Sequence, residues 1–404
     1  AGRACRDAER VATTLHLLGD GSHDAILAVA DGLAWGRYEF HDYKSRKPDG
    51  ERMRHVALLG GGGEQRLPAG LDTGVRVAAA DWVRDLVNMP ACHATPASLA
   101  AEAGRLASRA NVSCRVWHVE DLATAGLNGI VAVGAGSANA PCMVELRYEG
   151  GDGPRVALAG KGITFDSGGL DLKHVRSMVE MKNDMAGAAS VIAATWLAAE
   201  LGLNVNVVTL APLAENMPGR TALRPGDVIT HVNGTTTEIM SPDGEGRLVL
   251  AEALAHLAAS APDAIVDVAT LTSNTALGVE LWALMGNDAQ LNAALVDAGV
   301  RAGDPGWELP LWRSYDRLLD SRIADRVNNG WSGGSCRPDT MLGALYLAQF
   351  VGDRPWAHID NAATAEWMSD AVGPEMPVGP TASPLAALVA WLEALDAGNG
   401  TQRR

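Results

Sequence analysis

Short β-branched runs bounded by Gly, Asn or Pro alternate along this chain with longer Ala- and Leu-rich stretches, and few architectures accommodate that alternation. Residues 129–133 (GIVAV), 144–148 (VELRY), 155–160 (RVALAG), 205–211 (VNVVTLA) and 264–269 (AIVDVA) carry the strand pattern. Residues 95–110, 185–201, 247–260 and 383–396, with a further stretch from residue 78 (AAADWVRDLVN), place polar residues at helical spacing. Strands that are apolar on both faces need helices over both. The expected class is therefore α/β, with a mixed central β-sheet flanked by helices on both faces. At 404 residues the chain is long enough for two domains. LLGGGGEQ at 58–65 suits a flexible loop or a strand edge. A boundary near residue 70 is expected, with a partial α/β domain over 1–69, a large domain over 70–404, and 70–90 as a connecting helix.

The net charge of −15 and the pI near 5.1 argue against a nucleic-acid binder, which needs a basic face toward phosphates. Five cysteines, with no CxxC pair, argue against a disulfide framework and fit a reducing compartment. No apolar run reaches the roughly 18 residues of a membrane span. The longest candidate, 191–214, is interrupted by Glu200, Asn204 and Asn206. The first residues show no charged-then-apolar signal pattern. A cytoplasmic enzyme is the expectation.

GKGITFDSGGLDLK at 160–173 poses the chemical question. Glycine-rich loops behind strands commonly hold phosphate. Here Lys161 is followed by Gly162 where a phosphate loop requires Ser or Thr, and GAGSAN at 134–139 lacks the third glycine of a dinucleotide fingerprint. HExxH is absent, and Cys336 has no evident histidine partner. Metal fits better. Asp166, Asp184, Asp243 and Glu245 lie in GKGITFDSGGLDLK, MKNDMAGAAS (181–190) and SPDGEGRLVLAEAL (241–254). Four carboxylates gathered together repel one another unless cations balance them, and two divalent ions would. Each segment taken singly has a plainer account. Asp184 suits a helix N-cap, and DGEG suits a turn. Two lysines and an arginine beside the carboxylates favour the metal account. Asp171 has no assigned role beyond surface exposure.

In order and spacing these segments resemble the motifs of the leucyl aminopeptidase (cytosol aminopeptidase) family, and the resemblance covers nearly all of residues 75–390. RDLVNMP (84–90), ENMPGRTALRPGDV (215–228), DVATLT (267–272) and PWAHIDNAAT (355–364) extend it. The resemblance implies a metal-dependent aminopeptidase that removes the N-terminal residue of a peptide with a hydroxide activated by two metal ions. Lys161, Asp166, Asp184 and Glu245 would bind the tighter ion. Asp166, Asp243 and Glu245 would bind the more exchangeable one, with Asp166 and Glu245 bridging. Lys173 would be the electrophile, and Arg247 would hold a bicarbonate that serves as general base. Met181, Thr270 and Ala362 would line the pocket for the first side chain, and Leu271 would hold substrate through its backbone. Zinc or manganese, and a homohexamer built as a dimer of trimers, are further implications. Elementary chemistry agrees on one point: a lysine ligates metal only as the neutral amine, so a nearby cation must displace its proton.

The chain departs from the family pattern. Ser241, Pro242 and Gly244 stand where the family has Asn, Thr and Ala, Ser273-Asn274 stands for Gly-Ala, and Ala365 replaces a larger pocket residue of some members. The segment before residue 70 is shorter than the family's N-terminal domain, so that domain is expected to be naturally short or truncated. These departures bear on substrate preference more than on catalysis. The alternative is a dedicated dimetal amidase or peptidase acting on one specialised peptide-like metabolite. A two-metal phosphoesterase and a non-catalytic DNA-binding role, known for some relatives, fit less well.

Overall fold

A computed structural model describes residues 5, 8, 10–15, 23–46, 55–60, 63–64, 73–273, 277–330, 338–367 and 378–402. Asn274 and Cys336 lie outside the described residues. The chain begins with β1 (Arg10–Thr13), α1 (His23–Gly36), β2 (His55–Gly60) and β3 (Gly63–Glu64). β1 and β2 pair in parallel and β2 and β3 antiparallel, giving a small sheet separate from the main one. At the tetraglycine run, Gly60 pairs with Gly63, while Gly61 and Gly62 lie outside the described residues.

The chain continues through α2 (Thr73–Asn88), α3 (Pro96–Ala107), β4 (Val112–Trp117), α4 (Val119–Thr124), α5 (Asn128–Gly134), β5 (Cys142–Glu149) and β6 (Arg155–Gly160). Next come β7 (Gly162–Asp166), α6 (Val175–Met178), α7 (Ala186–Glu200), β8 (Asn206–Asn216), β9 (Val228–Thr230), β10 (Thr236–Glu238) and α8 (Glu245–Ala259). The last part holds β11 (Ala264–Ala269), β12 (Trp282–Gly286), α9 (Ala289–Ala302), β13 (Gly306–Glu308), β14 (Arg326–Val327) and α10 (Asp339–Leu347). It closes with β15 (Trp356–Asp360), β16 (Glu366–Trp367), β17 (Gly379–Pro380) and α11 (Leu385–Gln402).

The main sheet runs β13-β12-β15-β11-β6-β8-β5-β4, with β7 also paired to β8. Its centre, β15 through β8, is parallel, and its outer pairs β12/β15, β8/β5 and β5/β4 are antiparallel. The sheet is thus mixed, as expected. Side chains of β6 alternate between its two faces. Val156 and Leu158 join a core with α2, α3, α7 and α11, while Ala157 and Ala159 join a second core with α5, α8 and α10. Each buried Leu or Ile contributes about 2 kcal/mol relative to exposure. α7 is buried from Ala186 to Ala198, which its small apolar residues permit on every side. The parallel centre brings the carboxyl ends of β6, β7, β8, β11 and β15 to one edge, where α/β sheets place ligands.

One expected strand is a helix: GIVAV forms α5. A short apolar run has no period that separates a strand from a buried helical turn. Packing against α8 decides the matter. Gly129 N donates to Glu252 Oε1 at 2.6 Å, and a Cβ at Gly129 would lie 2.6 Å from the Leu248 carbonyl oxygen. Among the described residues, no helix is long and apolar enough to cross a membrane.

Candidate metal centre

Lys161 occupies the step between β6 and β7. Its N–H donates to the Val268 carbonyl at 3.0 Å, and its own carbonyl accepts from Ala188 N at 2.8 Å. β11 and α7 therefore fix where the side chain starts. Its Nζ lies 2.8 Å from Asp184 Oδ1 and 2.9 Å from Glu245 Oε1, and donates to the Thr270 carbonyl at 2.8 Å. Asp184 follows the one-turn helix Met181–Asn183, and the cap position of α7 falls to Met185. The N-cap account of Asp184 is thus set aside: its Oδ1 accepts from Thr270 Oγ1 at 2.7 Å instead.

Glu245 opens α8, where the amino-end dipole favours a carboxylate. Gly246, the next residue, is required by close approach: a Cβ there would lie 2.5 Å from Lys161 Cε and 2.7 Å from Nζ. Asp166 ends β7. Its Oδ1 accepts from Gly168 N and Asn216 Nδ2, each at 2.8 Å, and its Oδ2 lies 2.8 Å from Lys173 Nζ. Lys173 also pairs with Asp243, whose side chain is 32% exposed.

The loop before α8 is held from outside its own motif. Asn328 Nδ2 donates to the Ser241 carbonyl at 2.6 Å and the Gly244 carbonyl at 3.3 Å, while its Oδ1 accepts from Met240 N at 2.8 Å. Its carbonyl accepts from Arg247 Nη1 at 2.7 Å. Asn216 Nδ2 reaches the Pro242 carbonyl at 3.0 Å. Asp171 is exposed as expected, but Ser241 Oγ donates to its Oδ2 at 2.6 Å. The Ser241 and Pro242 departures are accommodated by these contacts. Asn216 falls within the quoted 215–228 segment but was given no role, and no motif pointed to Asn328; their contacts are ones that sequence spacing does not reveal.

The electrostatics follow from burial and proximity. Burial works against the Lys161 ammonium, but Asp184, Glu245 and Asp166 outweigh it and raise its pKa above the ordinary lysine value. Lys173 is raised in the same way by Asp166, Glu245 and Asp243 against its own burial. Burial, with Glu245 and Asp166 adding, holds the Asp184 carboxyl well above the usual range despite Lys161. Burial, then Asp166 and Glu245, pushes Asp243 up to about 7 against the pull of Lys173. Burial lowers the Arg247 pKa.

A cation fits this donor set. Asp166, Asp184 and Glu245 offer oxygens within 4.8 Å of one another, and all three are buried. Asp184 Oδ2 and Glu245 Oε2 are buried and accept no hydrogen bond within the protein. Hard divalent ions and zinc take such oxygens. Around them, Thr270, Leu271 and Ala362 come together at the ends of β11 and β15, with Leu271 N at 3.3 Å and Ala362 N at 3.1 Å from Asp360 Oδ1. Met181 lies on the one-turn helix before α7. Ala365 lies in the core beside α7 and α11.

Residues 81–389 match the model of the cytosol aminopeptidase family, catalytic domain. The chain is 38% identical over 394 residues to a probable cytosol aminopeptidase of Geotalea uraniireducens (strain Rf4), covering 96% of this chain and 78% of that protein. It superposes with a TM-score of 0.88 on the bottromycin maturation enzyme BotP in complex with Mn, at 40% identity over 98% of this chain and 85% of that one. The cytosol aminopeptidase from Coxiella burnetii superposes with a TM-score of 0.84 at 33% identity, over 92% of this chain and 78% of that one. On motifs, fold and these matches together, the chain belongs to the cytosol aminopeptidase family, a family of hydrolases that act as metallo-exopeptidases.

Proposed function

We propose that this protein removes the N-terminal residue from peptides at a two-ion centre held by Lys161, Asp166, Asp184, Asp243 and Glu245. The observation that carries the proposal is the buried trio of carboxylates with two oxygens that accept no hydrogen bond. When bound, two divalent ions would supply a Lewis acid for the scissile carbonyl and an activated water. Lys161, an ammonium between Asp184 and Glu245 in the metal-free cluster, would give up its proton to ligate as the amine. Asp166 and Glu245 would bridge.

Lys173 keeps its proton under the carboxylates around it. Charged, it would polarise the scissile carbonyl and stabilise the developing oxyanion. Arg247 is buried, with Nη1 committed to Asn328 and Nε without a partner. Its guanidinium would hold a bicarbonate, which would supply a general base beside the centre. Thr270, Leu271, Ala362 and Met181 would receive the first residue, whose free α-amine would be held at the centre. That demand for a free amine would restrict cleavage to the chain end.

Zinc or manganese would serve; the BotP match was solved with Mn. A cytoplasmic homohexamer, as two trimers, belongs to the same proposal. So does the division into a partial N-terminal α/β domain at 1–69 and a catalytic domain at 70–404, supported by the separate small sheet ahead of α2. A second reading is favoured by the BotP likeness and the altered loop at Ser241–Gly244: a peptide-like amide from one specialised pathway as the substrate.

The test is a panel of aminoacyl anilides, leucyl dipeptides and phosphate esters, assayed with Zn2+ or Mn2+ added to metal-stripped protein. Turnover of aminoacyl substrates alone is expected. Lys173→Ala and Glu245→Ala should each lower kcat by at least about 100-fold while the protein stays folded by circular dichroism. Retained turnover in both variants would sink the mechanism. Activity confined to one peptide-like amide would favour the second reading.

A further inference from the structure

β11 and β15 are parallel neighbours in which Ala269 pairs with Asp360. The chain leaves β11 at Thr270 and β15 at Asn361, so the two following loops start side by side. Asp360 is fully buried between them. Its Oδ1 accepts from Leu271 N at 3.3 Å and from Ala362 N at 3.1 Å, and its Oδ2 accepts from Thr272 Oγ1 at 2.5 Å. Thr272 Oγ1 lies in turn 3.0 Å from Thr340 Oγ1 on α10. One carboxylate therefore joins the loop after β11, the loop after β15 and the first turn of α10. Two residues earlier on β15, and on the same face of the strand, His358 Nδ1 lies 2.6 Å from Asp267 Oδ1, while Trp356 Nε1 donates to Asp267 Oδ2 at 2.7 Å. This pairing braces the strand that carries Asp360.

Removing the carboxylate would leave the two partly buried backbone N–H groups of Leu271 and Ala362 without their shared acceptor. We infer that Asp360 is a positioning residue that sets the pocket for the substrate's first side chain by fixing Leu271 against Ala362. It touches neither the ion-binding carboxylates nor the reacting atoms. The inference rests on the aminopeptidase reading, in which Ala362 lines the pocket and Leu271 holds substrate through its backbone.

The experiment compares wild type with Asp360→Ala and Asp360→Asn, all loaded with Mn2+, on aminoacyl anilides whose first side chain runs from Ala to Leu to Phe. Asp360→Ala is expected to raise KM about tenfold for the preferred substrate and to flatten the preference, with kcat within about threefold and metal content unchanged. Asp360→Asn keeps one oxygen for both N–H groups and should restore KM and preference. Hydrogen exchange supplies a second readout: the Leu271 and Ala362 amides should lose protection in Asp360→Ala and keep it in Asp360→Asn. If Asp360→Ala does not fold, Thr272→Val carries the test, since it removes the third donor and its contact with Thr340 but leaves both N–H bonds to Asp360, and it should shift KM and preference in the same direction by less. An equal fall in kcat on all substrates with KM and preference intact, or an unshifted Thr272→Val, would overturn the inference. A wild-type enzyme inactive on every aminoacyl substrate would instead refute the aminopeptidase reading.

Discussion

Lys161 and Lys173 stand on either side of β7 and share one cluster of carboxylates, yet their surroundings separate their roles. Lys161 is fully enclosed and touches Asp184 and Glu245, whereas Lys173 is partly open and touches Asp166 and Asp243. The candidate ligands and both lysines were legible from three motifs, because short-range spacing places each at the end of a strand or the start of a helix. Asn328 was not legible, since it joins the site only through side-chain and carbonyl contacts made across the fold. Gly246 marks the tightest point, where Lys161 lies against the first turn of α8. Gly246→Ala should push Lys161 away from Asp184 and Glu245. We expect metal affinity to fall by about tenfold or more, read as metal retained after dialysis. Wild-type retention would mean that the close approach has no bearing on the ions.

Among the elements, the mistaken strand and the buried cap of α11 teach the same thing. GIVAV is apolar enough for either state, and only its contact with α8 makes it a helix. Asp304, after α9, reaches the start of α11: Ser383 Oγ donates to its Oδ1 at 2.6 Å and Ala387 N to its Oδ2 at 3.3 Å. Burial nonetheless outweighs these bonds and pushes its pKa up to about 6. A carboxyl whose folded pKa is raised favours the folded state most when protonated. Its contribution is full below the unfolded value of about 3.9 and is lost as pH rises to about 6. Asp304→Asn removes that dependence. From about pH 4 to about pH 6.5, wild type should lose stability relative to Asp304→Asn by about 2 kcal/mol, measured by denaturant unfolding at several pH values. A difference between the two proteins that stays constant across that window would show that Asp304 ionises freely.

At the scale of the whole molecule, the sheet and the site are coupled by charge. Four carboxylates meet two ammonium groups at the carboxyl edge of the parallel strands, and on the proposed reading bound cations would relieve the repulsion among the carboxylates. Chelation should therefore lower the melting temperature, and adding Mn2+ to about 100 times its Kd should stabilise the fold by about 2.7 kcal/mol. A melting temperature indifferent to both treatments would contradict a centre built for metal. The α/β class, four of the five strands, the helices and the segments that supply the clustered carboxylates could all be read along the chain, because hydrophobic period and local spacing are properties of neighbours in sequence. The identity of α5, the clamp of Asn328 on the loop before α8, the Ser241–Asp171 contact and the junction at Asp360 required the folded chain. Each depends on groups far apart in sequence that meet only when the sheet is assembled, and a buried donor or acceptor finds its partner by proximity in space.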